Sequence, residues 1–483
     1  MYERKRNVTA TTVTRIVTGV LAAMLLFAVA LPAAAQNPPD STRVADVAQG
    51  GTAQGGTAPT VETVVMPNLA AGRNNMPTVE IQYFRPHDAR GLNTFEPPKL
   101  EGTTYTGNKI QWGAAFTQQF QNLTHSNRAA PKIVNAVDAN KLIDIGPGFN
   151  NADANLFLDA QMARGIRVAM TSYLSSRHHQ ETWVKDGYLQ IDASPFANRP
   201  LEQLMKYMTV RAGHFEINYG DQHFRSSDNG NTIFNPFVGN LILNAFTTEI
   251  GAEAYFRTRG SLAMAGITGG EVHGQVTQPS HRTPTYLGKL GFDRQLQPAL
   301  RVRLTGSVYR NARTVGNTLY SGSRAGSRYF DVLENTGSTE SAQAWSGELQ
   351  PGFTHHVTAL VLNPFVKFHG LEVFGNLEQA QGGGPTETVN RKWHNNAGEA
   401  VYRFFGEELY LGGRYNLARG TLAAYPGRTL SIDRTQVAGG WYLTPRILAK
   451  LEYVQQNYRD FPASDIRSSG QFKGVMFEGA VSF

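Results

Sequence analysis

The chain closes on Phe472-Lys473-Gly474-Val475-Met476-Phe477-Glu478-Gly479-Ala480-Val481-Ser482-Phe483. Read as a strand, it puts Lys473, Val475, Phe477, Gly479, Val481 and Phe483 on one face and Gly474, Met476, Glu478, Ala480 and Ser482 on the other. Successive strand side chains point to opposite faces, so one face suits lipid while the other suits water. The pattern recurs upstream. In 109–124, Ile110, Trp112, Ala114, Phe116 and Phe120 oppose Gln111, Thr117, Gln119 and Gln121. Leu300, Val302, Leu304 and Val308 oppose Arg301, Arg303, Thr305 and Ser307, and Leu409, Leu411, Gly413, Tyr415 and Leu417 oppose Tyr410, Gly412, Arg414 and Asn416.

A chain that ends inside such a strand on an aromatic residue resembles the closing strand of a bacterial outer-membrane β-barrel, whose final Phe is the signature read by the barrel assembly machinery. Counting back from Phe483, connections are alternately short and long. Those at 444–446, 406–408 and 369–370 are short, and those at 459–471, 420–434 and 382–395 are long. Short periplasmic turns alternating with longer extracellular loops are the outer-membrane arrangement. Seventeen candidate strands reduce to an even sixteen when 344–353 joins the next strand or lies in a loop. The fold expected is therefore all-β: a transmembrane antiparallel β-barrel of about sixteen strands with a flexible N-terminal periplasmic segment.

The N-terminus reads as a secretory signal. Arg4, Lys5, Arg6 and Arg15 precede an apolar run from Ile16 to Leu31, and Ala33-Ala34-Ala35 supplies a small-residue cleavage site. Three segments follow: a signal peptide over 1–35, a low-complexity N-terminal segment over 36–104, and the barrel over 105–483. Cleavage after Ala35 removes four of 45 basic residues and one of 38 acidic ones, leaving 41 against 37, or +4 rather than +7. Ala-Gln-Gly-Gly-Thr occurs twice in tandem at 48–57. Such a segment buries too little apolar surface to offset its ordering entropy. Residues 79–104 are richer in aromatics and are expected to pack against the barrel base. With no cysteine in the chain, disulfides and Cys-based metal sites are excluded. A mean hydropathy of −0.33 is compatible with a barrel, because only alternate residues face lipid.

Sixteen strands enclose an aqueous lumen rather than a side-chain-filled core. The long connection at about 218–246 carries Phe224, Ile233, Phe234, Phe237 and Val238, too apolar for solvent, and is expected to fold inward as a constriction. Its candidate constriction residues are Glu216, Asp221, Arg225 and Asp228. Candidate lumen residues are Arg167, Arg211, Arg257, Arg301, Arg303, Arg403, Arg414, Glu253 and Glu478. The full lumen tally adds Lys289, Lys367 and Lys450 to the bases, and Asp159, Asp186, Glu249, Asp293, Glu372, Glu378, Glu399 and Glu452 to the acids. That is ten bases against ten acids, not the cationic excess that strong anion selectivity requires.

Val437-Ala438-Gly439-Gly440-Trp441-Tyr442-Leu443-Thr444-Pro445, followed by Lys450-Leu451-Glu452-Tyr453-Val454, is similar to the phosphate-selective porin O and P family. Phe365 to Gly375 and Arg211-Ala212-Gly213-His214-Phe215 add to the resemblance, which covers roughly 105–483. It implies passive diffusion of small hydrophilic solutes or ions, anions such as phosphate among them, through a homotrimeric pore in outer-membrane lipid. No catalytic residue, cofactor or metal is required. The even charge tally favours a pore of modest selectivity.

Two other classes stay open. His214, Asp221, His223 and Ser226 lie close in sequence, but a hydrolase needs a nucleophile hydrogen-bonded to an oriented base. A closed structural or docking barrel would have its lumen plugged by 79–104. The adjacent pairs His178-His179 and His355-His356 each give one side chain per strand face and read as surface residues. No basic cluster points to nucleic acid, and Trp112, Trp441, Tyr442 and Tyr453 read as interfacial girdle anchors.

Overall fold

Strand follows strand from Lys109 to Ser482 in a computed structural model that describes residues 81–483 apart from 98, 100–103, 179–181 and 275. The signal peptide and the low-complexity stretch to residue 78 lie outside the described residues. β1 (Lys109–Ser126) is followed by a two-residue-stranded hairpin, β2 (Ile133–Val134) and β3 (Val137–Asp138). Then come β4 (Gly148–Ala163), β5 (Ile166–Ser175), β6 (Trp183–Ile191), β7 (Met208–Glu216), β8 (Thr248–Thr258) and β9 (Ser261–Thr268). β10 (Thr285–Gln297), β11 (Leu300–Asn311), β12 (His356–Phe368), β13 (Leu371–Gly383) and β14 (Arg391–Phe404) continue the wall. β15 (Leu409–Gly420), β16 (Leu430–Thr444), β17 (Ile447–Arg459) and β18 (Gln471–Ser482) complete it. β1 and β4–β18 form one closed antiparallel barrel of sixteen strands, each paired with its chain neighbours.

Closure falls at the terminal strand. β18 pairs with β1 from Ala115 opposite Ser482 to Ser126 opposite Gln471. Beyond the last pair, Phe483 and Ala114 exchange backbone hydrogen bonds of 2.9 and 3.0 Å. No strand edge is left to lipid, where an unpaired backbone group would cost several kcal/mol.

The outward face is apolar. Ile110 is 62 % and Trp112 70 % exposed, and Leu290, Leu411, Leu451 and Phe477 are exposed as well. A continuous band of large exposed apolar side chains around a closed barrel is explained by lipid contact. Both chain ends of the barrel and the short turns (164–165, 259–260, 298–299, 369–370, 445–446) share one rim with the β6–β7 connection, which carries a short helix at Arg199–Met205; the other long loops share the opposite rim. The fragment 344–353 lies in the β11–β12 loop. Trp112, Trp441 and Tyr453 face outward, as girdle residues should, whereas Tyr442 faces inward, is buried, and donates its hydroxyl hydrogen to the Ile233 carbonyl at 2.8 Å. At one cross-strand pair, Tyr410 opposite Gly440, a Cβ on the glycine would lie 2.3 Å from the tyrosine ring, so only glycine admits that ring flat against the wall.

The interior departs from the expected aqueous lumen. Inward side chains of β12–β18 are almost all buried, because three segments pack against them: residues 81–99, the β7–β8 connection (217–247), and the β11–β12 connection (312–355). The apolar clusters are accordingly inside the barrel. One joins Ala89 and Leu92 to Ile233, Phe234 and Phe237 and to wall residues Tyr442, Leu448 and Ala480. A larger one joins Val238, Ile242, Tyr329 and Leu349 to Val454, Phe472 and Met476. Segment 81–99 does not merely rest on the base; it enters the lumen from the short-turn rim.

Candidate functional site

Charge inside the barrel is arranged as pairs. Arg167 lies 2.8 Å from Asp159, Arg403 2.8 Å from Glu372, Arg414 2.8 Å from Glu399 and Arg301 2.6 Å from Asp293. Lys450 pairs with Glu478. Arg211 and Glu253 are 3.8 Å apart, and Arg257 sits 4.0 Å from Asp192 while donating to the Pro97 carbonyl. The lumen residues expected from the alternation point inward and are buried or half-buried; most have a partner of opposite charge or a backbone group beside them, while Glu378 accepts from Tyr219, Tyr320 and Asn395 at 3.1, 2.8 and 3.0 Å.

The four constriction candidates sit on or beside the inward loop, and each is bonded to the wall. Asp221 is caught between Arg303 at 2.7 Å and Lys289 at 2.7 Å, and Thr305 donates to it at 2.7 Å. Burial opposes ionisation of the Asp221 carboxyl, but Arg303 and Lys289 outweigh it and bring its pKa down to about 2. Arg225 donates to Glu399 at 2.8 Å and lies 3.4 Å from Glu372. Lys185 binds Glu216 at 2.7 Å and Asp228 at 2.6 Å. These residues are brought together by the loop, yet bonded into ion clusters with wall residues and not as free charges facing a pore. Between the loop and β12–β13, the space lined by Tyr219, Leu241, Val361 and Glu378 is a cavity of about 10 Å3, room for a single water.

Residues 81–97 supply contacts that the charge tally could not contain. Glu96 is 3.0 Å from Lys289 and 2.8 Å from Arg303, and Asn218 donates to it at 3.0 Å. Burial would raise the Glu96 pKa, but Arg303 and Lys289 hold it well below the ordinary carboxylate value. Asn93 bridges Glu372 and Arg225, and Arg301 donates to its carbonyl at 2.9 Å. Arg85 donates to the Phe224 carbonyl at 2.9 Å and stacks over Phe234 at 4.0 Å. His87 meets Asp159 at 2.9 Å, and Ala89 donates to the Pro445 carbonyl at 2.9 Å. Phe95 packs among Phe365, Phe374 and Phe224.

Sequence reasoning also missed Lys185, Arg328 and Arg434. Arg434 donates to the Asn240 and Gly347 carbonyls at 2.6 and 2.7 Å, tying both inward loops to β16. Arg328, from the second loop, binds Asp153 at 2.5 Å. The alternation of β16 places Arg434 with Gln436 and Ala438 and was sufficient to find it; nothing periodic marks Arg328 or Glu96.

The hydrolase constellation is not assembled. The His223 ring lies between Glu216 and Asn218, each 3.1 Å away, while the Ser226 hydroxyl donates to the His223 carbonyl. His214 instead faces Thr248 at 2.9 Å.

The fold and its filling define the class: a transmembrane β-barrel with a charged, internally paired lumen. No protein-family model matches the chain, and no curated protein matches it, so the family resemblance stands on the residues at 211–215, 365–375 and 437–454 alone. Among solved structures, the chain is similar to an anion-selective porin from Comamonas acidovorans at 11 % identity, with 78 % of this chain and 100 % of that one covered and a TM-score of 0.48. It is similar to the outer-membrane channel DcaP of Acinetobacter baumannii at 8 % identity, with 80 % and 100 % covered and a TM-score of 0.46. Salmonella typhi OmpF in complex with daunomycin matches at 10 % identity, with 79 % and 99 % covered and a TM-score of 0.45.

Proposed function

We propose that this protein is an outer-membrane channel whose lumen is closed at rest by its own inward segments and passes small hydrophilic solutes when they shift. The observation that carries the reading is the make-up of the interior: a closed wall, apolar outside, faces a filling joined to it by ion pairs and hydrogen bonds as well as by two apolar clusters. A barrel built only as a rigid body would gain more from a dry core than from buried charge pairs, whose desolvation largely cancels their attraction. Polar contacts exchange with water at a net cost of about 1 kcal/mol each, so the stretches of the filling held by polar contacts, such as the one around Glu96, are displaceable in a way that its apolar clusters are not.

The paired lumen supports weak selectivity in the conducting state, whether the solute is phosphate or another small ion, because most wall cations carry a counter-charge beside them. The residues proposed to set the local field are Asp221, Arg225, Asp228 and Glu216 at the loop and Arg167, Arg211, Arg257, Arg301, Arg303, Arg403, Arg414, Glu253 and Glu478 on the wall. Assembly as a homotrimer in outer-membrane lipid, after insertion by the barrel assembly machinery and cleavage near Ala35, belongs to the same reading. The burial of 81–99 in the lumen specifically favours a second reading, a permanently closed structural barrel. Proteoliposomes separate the two. Efflux of trapped small ions and sugars through the purified full chain, with a small reversal potential in a salt gradient, is expected for the channel. Retention of every solute, also after segment 81–99 is released by substitution, contradicts it.

A further inference from the structure

We propose that Phe95 and Glu96 occupy a lumen binding site for an organic anion carrying a carboxylate beside an aromatic ring, and that such a solute takes their place when the N-terminal segment shifts. The inference rests on the channel reading and adds the chemical class of solute to it.

The receiving groups belong to the wall and the inward loop, not to the segment that fills them. Lys289 on β10, Arg303 on β11 and Asn218 on the loop all aim at the Glu96 carboxylate, at 3.0, 2.8 and 3.0 Å. Three donors converging on one carboxylate from separate elements make a cradle, and charge-assisted bonds of this kind are the strong ones. The neighbouring charges count out evenly only while Glu96 is present. Lys289, Arg301 and Arg303 face Asp221, Asp293 and Glu96. Withdrawing Glu96 leaves the cluster with one uncompensated positive charge in a buried position, a state that demands another anion.

The second half of the site selects what that anion carries. The Arg303 guanidinium that binds Glu96 also lies 4.3 Å from the centroid of the Phe95 ring. Arg301 lies 5.6 Å from the same ring. Phe365 and Phe224 meet the ring edge-on at 5.3 and 5.8 Å. One arginine therefore contacts an aromatic face and a carboxylate at once, and phenylalanine edges line the remaining side. A hydrated phosphate would satisfy the cations but would lie against rings that offer it nothing. A ring joined to a carboxylate by a short spacer satisfies both halves.

The test uses the purified full chain in detergent, titrated calorimetrically with 3-phenylpropionate and, separately, with inorganic phosphate. Wild type, whose site is filled, is expected to bind 3-phenylpropionate weakly. Phe95→Ala/Glu96→Ala is expected to bind it saturably and on the order of tenfold more tightly than phosphate, and adding Lys289→Gln is expected to weaken that by on the order of tenfold, the worth of one charge-assisted bond. Equal binding by wild type and the double variant, or phosphate binding as tightly as the aryl acid, overturns the proposal. If the double variant does not assemble, Glu96→Gln, which preserves side-chain volume, replaces it with the same two expectations. Conductance of the same variant in planar bilayers judges the channel reading separately. Conduction without 3-phenylpropionate binding sinks the site alone, whereas binding without conduction keeps the site and sinks its place on a path.

Discussion

Ala114 with Phe483 and Glu96 with Arg303 are two places where the chain closes on itself, and they hold by different means. The first is a backbone pair that completes an unbroken ring of sixteen strands. The second is an ion pair that pins an N-terminal segment inside that ring. The wall gains from every backbone hydrogen bond because lipid offers no alternative partner. The segment around Glu96 gains from charge complementarity that water or another anion can satisfy, beside the apolar contacts of Phe95 and Leu92. On the proposed reading the first region is permanent and the second exchangeable.

Removing β18 should have the largest effect. A chain truncated before Gln471 leaves β1 and β17 with unpaired edges, and the prediction is complete loss of the heat-modifiable band on cold electrophoresis. A truncated chain that still migrates as a folded barrel would contradict the role of the β1–β18 seam. Next is Arg303→Ala, which leaves the buried Asp221 and Glu96 carboxylates to share the single Lys289 cation. Unpairing a buried charge costs about 3–5 kcal/mol, visible as a lower urea midpoint in liposomes. Leu451→Arg on the lipid face should cost about 2–4 kcal/mol by the same measurement if the position lies near the bilayer midplane. By contrast, Arg459→Ala, whose partner Asp433 is 2.6 Å away but whose own side chain is 60 % exposed, should cost at most about 1 kcal/mol.

Acidity sharpens the contrast from another side. Asp221 and Glu96 both have carboxyl pKa values depressed in the folded state, Asp221 to about 2. A depressed carboxyl contributes stability that is present above its unfolded value and lost as the pH falls through the folded one. The groups facing these two are Lys289, Arg303 and, through Arg303, Asp293, and no histidine bonds directly to either carboxylate. The segment should therefore stay seated from neutral pH down to about 4 and loosen only below that, where the unfolded carboxylates begin to protonate. Thiol labelling of Leu92→Cys, in a chain with no other cysteine, reports it. Labelling that rises sharply between pH 7 and 5 would show that another group holds the segment.

The sequence was most legible where structure is periodic. Alternation placed Arg303, Arg403, Arg414 and Glu478 on the inner face and Phe477 and Leu451 on the outer one, because a strand's side-chain period needs no knowledge of its partners. Chain-order pairing then fixed the barrel. The apolar content of 218–246 also showed that the connection turns inward, since Phe234 and Phe237 have no place in water. The filling was not legible for the opposite reason. Glu96 stands in Phe95-Glu96-Pro97, with no repeat to mark it, and meets Arg303 across more than two hundred residues of chain. Arg328 and Tyr329 lie in a loop whose polar composition reads as surface, and only the closed wall brings them to Asp153 and Glu452. The even charge tally counted strand residues only, whereas their partners in the structure include charges outside the strands, Glu96 and Asp221 among them.

The most direct test of the account is single-channel recording in planar bilayers of the full chain beside Asn93→Ala/Glu96→Ala, which leaves the wall intact and removes two of the segment's polar anchors. The account predicts a mostly closed wild type and a variant with stepwise, ohmic openings and a several-fold greater mean conductance. Two indistinguishable records, both silent or both fully open, would contradict a lumen closed by its own exchangeable filling.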